Sequence, residues 1–189
     1  IGAPGGVGFQ IGGALAEEDA PESSLTLATV SAANGPGDTR SYTAITSALS
    51  GAGLVGLPEG LTLTARTLRV EINQASGALG AAGPAAMALD WSTAVDLTPA
   101  DESFAAETVS IDGQRIDFEG EALRASGALE INLFDIVRGD VSFAFEQRRV
   151  DVNLGDEAFQ PDAPDAAERD LQGATLTTVG MRVESLFVG

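Results

Sequence analysis

Apolar and polar residues alternate one for one along much of this chain, most clearly between residues 121 and 154. There Leu129, Ile131 and Leu133 alternate with Glu130 and Asn132. Val141, Phe143 and Phe145 alternate with Ser142, Ala144 and Glu146, and Val150, Val152 and Leu154 with Arg149, Asp151 and Asn153. A period of two sends every second side chain to the same face, so these runs predict strands with one apolar and one wet face. Arg138-Gly139-Asp140 carries turn chemistry and is the predicted point of reversal between the first two. The pattern is that of an antiparallel meander, which permits one solvated face.

The same reading extends outwards. Val7, Phe9 and Ile11 share one face of a Gly-rich strand, and Leu25 to Ser31 gives a short one. Leu61 and Leu63, then Leu68, Val70 and Ile72, give two more. Met87 to Leu97 is the cleanest alternation of all, with Trp91 on its apolar side. Val109 to Ile111, Asp112-Gly113 and Gln114 to Phe118 form a two-residue hairpin signal. Residues 171 to 189 predict a further pair of strands. Tyr42, Ile45 and Leu49 recur instead at three- and four-residue spacing after Asn34-Gly35-Pro36-Gly37, which predicts one short helix near residues 39–50. The expected fold is all-β: a single domain over residues 1–189, an antiparallel meander closing into a two-sheet sandwich or flattened barrel.

Charge narrows the function classes. Ten arginines face 28 acids, a formal charge of −18 with no Lys, His or Cys. A phosphate backbone requires a basic footprint, so no nucleic-acid partner is expected. Thiol and imidazole chemistry are absent, and no Ser stands in a nucleophile-elbow pattern, so the chain is read as a non-enzyme. Asp90, Asp96, Glu130 and Asp151 are strand acids expected on wet faces, where a hydrolytic pair gains little support. The early glycines lack both the P-loop and the dinucleotide-binding spacing. No apolar run is long enough for a helical membrane span, so no membrane insertion is expected.

Weak internal echoes suggest repetition. Leu68 to Asn73, Ala128 to Leu133 and Met181 to Leu186 share one rhythm, and ASGAL occurs at 75–79 and at 125–129. Joined end to start, LFVG-IGAPGGVGFQI would echo LFDIVRGDVSFAF. Such Lys-free, Asp-rich, strand-after-strand units resemble tandem repeats of very large bacterial extracellular or surface proteins, adhesins and filament-forming proteins among them. That resemblance implies secretion to the cell surface, head-to-tail assembly and calcium. The leading expectation is a structural unit, one period of an array, whose partners are copies of itself or adjacent repeats. Its contacts would be Val7, Phe9 and Ile11 with Leu186, Phe187 and Val188.

The alternative is a calcium-stiffened adhesin module binding a glycan or receptor. Calcium needs six to eight oxygens. Asp156, Glu157, Asp162, Asp165 and Asp170 offer carboxylates in one loop, and Glu17, Glu18 and Asp19 in another, though neither follows an EF-hand pattern. Arg138-Gly139-Asp140 also spells an integrin-type tripeptide. A third class, a lipid-carrying β-groove, would suit long apolar strand faces.

Overall fold

A computed structural model describes residues 8–12, 22–33, 37–99, 103–154, 159–162 and 170–189. The strands are β1 (Gly8–Ile11), β2 (Ser24–Ser31), β3 (Ser41–Val55), β4 (Leu61–Ser76), β5 (Val109–Ile111), β6 (Gln114–Ile116), β7 (Ala122–Leu133), β8 (Val137–Val152) and β9 (Leu171–Val188). All pairings are antiparallel. Seven strands make one sheet, in the order β1-β3-β4-β7-β8-β9, with β2 also on β3, and β5 and β6 make a separate hairpin. β1 and β2 lie in line along the same edge of β3: Gly8 to Ile11 run opposite Val55 to Ala52, and Ser24 to Ser31 opposite Ala48 to Ser41. The sheet is therefore six positions wide.

The all-β expectation holds, and three of its details are corrected. Residues 39–50 form no helix, because Ser41–Val55 is one long strand. Thr43, Ile45 and Thr46 are β-branched and favour an extended backbone, and the three- and four-residue spacing of Tyr42, Ile45 and Leu49 is incidental. Met87 to Leu97 is no strand. Asp90 gathers the chain into a turn there, accepting hydrogen bonds from the Ser92 amide (3.0 Å) and hydroxyl (2.5 Å), and its carbonyl accepts from the Ala94 amide. Short polar side chains of this kind compete with ladder pairing. Finally, Arg138-Gly139-Asp140 lies within β8. The reversal occurs at Phe134 and Asp135, both with positive φ (54° and 60°), as in the hairpin turns that match strand twist. Asn132 and Arg138 fasten that turn by bonding the Asp135 carboxylate. The other predicted hairpin stands as expected, with positive φ at Asp112 and Gly113.

Residues predicted as separate strand pieces join into long strands through bulges. In β4 the apolar side chains sit at even positions (Leu68, Val70, Ile72) and then at odd ones (Leu61, Leu63, Ala65). The register against β7 slips by one residue between Ala65 and Thr67. In β9 Val179, Met181 and Val183 give way to Leu186 and Val188, and the register slips at the same place. β3 changes parity at Gly51, whose φ is +62°, opposite the β4 bulge. Each extra residue restores the apolar set to one side of the sheet, since an uncorrected shift would turn every later side chain over.

The other side carries a lid formed by residues 77–99 and 103–121. Its anchor is Trp91, 1% exposed, packed with Ile116 and Phe118 on Ala44 of β3. Asn73 of β4, fully buried beneath it, accepts from the indole N–H (2.8 Å) and donates to the carbonyls of Leu89 (2.8 Å) and Gly120 (2.7 Å). Both its N–H donors and its carbonyl oxygen are paired within the core, as burial of an amide requires.

Candidate functional site

Among the described residues, two features of the sheet have no partner: its edges and one of its faces. β9 is an 18-residue edge strand, exposed along nearly its whole length, and among the described residues only β8 pairs with it. On the opposite side, β1 and β2 together line β3 and present their own outer edge. Natural sheets usually blunt such edges with charge, proline or short strands, because unpaired N–H and C=O groups template further pairing. Here β1 and β2 hold no charged residue and no proline, and β9 holds only Arg182 and Glu184.

The faces differ sharply. Rows of directly opposed residues run across the sheet through Leu123, Ala125, Gly127, Leu129, Ile131 and Leu133 of β7, a strand without a bulge. None of the residues in these rows is charged. One row reads Leu25, Ser47, Val70, Ala125, Phe145, Val179, and the next reads Leu49, Leu68, Gly127, Phe143, Met181. Large apolar side chains in them reach solvent, among them Val179 (75% exposed), Met181 (73%) and Leu25 (71%).

The opposite face carries the ion pairs of Arg66 and Arg124, whereas Arg149 pairs with Glu121 just beyond the Leu123 row. Arg66 meets Asp140 (2.6 Å) and Glu130 (3.4 Å), and Arg124 meets Glu146 (3.0 Å) and Glu71 (3.5 Å). These pairs raise the Arg124 pKa, Glu146 contributing most. The nine strands together hold eight arginines and six acids, so the −18 of the whole chain arises outside them.

The residues expected to bind or join fall unevenly on this frame. Leu186 (64% exposed), Phe187 (58%) and Val188 (68%) form the end of β9, and Ile11 the end of β1. The two groups lie on opposite edges, but at the same end of the sheet. Phe9 is in β1 opposite Leu54, and Val7 lies outside the described residues. Of the acidic loop, Asp156, Glu157 and Asp165 lie outside the described residues, as do Glu17, Glu18 and Asp19. Asp162 is exposed. Asp170 is buried, and its carboxylate accepts from the backbone amides of Leu154 (2.7 Å) and Gln160 (2.5 Å). Among the described residues no group of three or more acids is placed to hold a metal ion.

The strand and turn acids are each engaged locally: Asp96 accepts from the amides of Thr98 and Ala105, and Asp151 from that of Gly173. Asp140 of the Arg-Gly-Asp sequence is tied to Arg66 and Ser185 within the sheet, not offered at a loop tip. No helix among the described residues is long and apolar enough to cross a membrane. Comparisons with protein families, with curated proteins and with solved structures find no match for this chain.

One further carboxylate is held by charge. Asp38 ties the start of β3 to the lid, and the Arg40 guanidinium hydrogen-bonded to it lowers its pKa from 3.8 to about 2. A depressed carboxylate contributes stability that is present above its unfolded value and is lost as pH falls through the folded one. The Asp38 contribution is thus complete above about pH 4 and disappears towards pH 2. An NMR titration of the Asp38 carboxyl carbon is expected to show a midpoint near 2, and Arg40→Gln to return it towards 3.8.

Proposed function

We propose that this chain is a structural unit that joins to copies of itself, or to adjacent repeats, edge to edge through β9 of one and the β1/β2 line of the next. One observation carries the reading: the two open edges run in opposite directions, as antiparallel continuation requires. β1 and β2 run antiparallel to β3, and direction then alternates through β4, β7 and β8 to β9. Six positions is an even number, so one unit's last strand opposes the next unit's first. An odd count would have given parallel neighbours.

Three further points support it. The lengths agree: the β1/β2 line spans Val55 to Ser41 of β3, and β9 spans 18 residues. β9 ends, and β1 begins, at one end of the sheet, so a short reversal between successive units would suit a covalent array as well as separate subunits. The strands themselves carry little net charge, so repulsion comes mainly from acids outside them. Main-chain bonds along the new ladder would supply affinity, as in other β-strand additions.

Self-repulsion of the acidic segments gives the assembly a salt dependence. The Debye length falls from about 30 Å at 0.01 M salt to about 8 Å at 0.15 M. Sedimentation velocity is expected to show association that strengthens with protein concentration and with sodium chloride over this range. A species that remains monomeric throughout would contradict the reading.

A further inference from the structure

We propose that the uncharged face of the seven-stranded sheet is a second interface, covered by the same face of another copy, so that two units together form a two-layer sandwich that the described residues of one unit do not form. This goes beyond edge pairing and does not depend on it.

The chain maintains this face. At three places, Gly51, the β4 slip between Ala65 and Thr67, and the β9 slip between Val183 and Ser185, the apolar parity of the sequence changes. At each one the backbone adjusts so that Leu, Ile, Val and Phe stay on this side. Bulges interrupt ladder pairing, so two of them, with a matching change of parity at Gly51, indicate that the face has a use.

Its size suits an interface. With strands about 4.8 Å apart and alternate residues about 6.8 Å apart, the six rows cover on the order of 800 Å². A stable interface takes about 800 Å² from each partner, whereas the largest apolar patch on a monomer is about 300–600 Å².

Its relief does as well. Large residues sit beside small ones: the Phe143 ring lies 3.2 Å from where a Cβ on Gly127 would stand, and Phe145 neighbours Ala125. Such alternation lets two pleated sheets interdigitate at the spacing of about 10 Å found in sandwiches. Among the described residues, the lid and the ion pairs of Arg66 and Arg124 lie on the other face. A bilayer is the poorer occupant, since a chain carrying −18 is repelled by anionic headgroups.

The test uses the full chain and two substitutions. Ala125→Glu puts a carboxylate at the centre of the face, on the side away from Trp91, so near-ultraviolet circular dichroism of that tryptophan reports whether the fold is kept. Val179→Glu does the same at a rim position already 75% exposed, where folding is not at risk. Burying an unpaired charge between sheets is expected to weaken face-to-face dimerisation by about 100-fold or more for Ala125→Glu, and by about tenfold for Val179→Glu. A chain whose β9 edge is blocked should still form a discrete compact dimer by small-angle scattering, whereas folded Ala125→Glu should form only extended, edge-joined species. That contrast separates failure of this proposal from failure of edge pairing. Folded glutamate variants that dimerise as the wild type does would overturn it. So would an edge-blocked chain that stays monomeric at millimolar concentration, or one taken up instead by phosphatidylcholine vesicles.

Discussion

Trp91→Ala is expected to destabilise the unit by about 3–5 kcal/mol, the range for removing a large aromatic from a packed core. For a chain of this size that corresponds to a fall in Tm on the order of 10 °C. Two effects add. The indole is 1% exposed against Ala44, Ile116 and Phe118, so its loss leaves a cavity between lid and sheet. Its N–H is also the donor to Asn73 Oδ1, and a buried acceptor left unpaired is costly. Met87→Ala is the informative control. An alternating strand over residues 87–97 would place Met87 and Trp91 on one apolar face and make the two substitutions comparable. In the turn observed, Met87 is 82% exposed, so its loss should shift stability by no more than about 0.5 kcal/mol. Thermal unfolding followed by far-ultraviolet circular dichroism separates these outcomes, and similar losses for both would contradict the lid.

A proline in β9 is expected to abolish edge association or to damage the fold, depending on which of two adjacent positions receives it. Successive amides of a strand point to opposite sides, so of Thr178 and Val179 one directs its N–H to β8 and the other outwards. Proline at the outward position removes only a free donor, a placement that edge strands tolerate. That variant should keep the wild-type Tm and lose edge assembly, weakening it by about tenfold or more. The other breaks a bond to β8 and should lower Tm. If both leave assembly intact, β9 is not the joining edge.

Much of this frame is legible in the residues. The meander from Ala122 to Val152, the Asp112-Gly113 turn and the apolar run of β9 follow from alternation and turn chemistry alone. The failures have physical causes. A parity change such as Leu63, Ala65 to Leu68, Val70 reads as the end of one strand and the start of another, but a single bulge spans it. Alternation over Met87 to Leu97 suggests a strand, yet the decisive local bond is that of Asp90 with Ser92, which a pattern of apolar positions does not register. The pentapeptide ASGAL shows how far context overrides sequence. At 125–129 it lies flat in β7, whereas at 75–79 the chain leaves β4 and Gly77 takes a positive φ of 80°, tight against Thr39.

Of the residues expected to join units, Leu186, Phe187 and Val188 end a strand that among the described residues pairs only with β8, and Ile11 ends a strand on the edge opposite. What alternation could not disclose is that no second layer covers the apolar face among the described residues, because a covered sheet and a bare one share the same pattern. Of the acids in the long loop, Asp170 has a structural duty that charge alone does not reveal: it pins two backbone amides.

Amide hydrogen exchange across β9 tests the central claim most directly. If units join edge to edge, the outward-facing amides between Leu171 and Val188 will slow as protein concentration rises, together with those of β1 and β2, while the amides bonded to β8 stay slow throughout. Outward amides that exchange at the same fast rate at every concentration, in a sample that does associate, would mean that the sheet edges are not where these units meet.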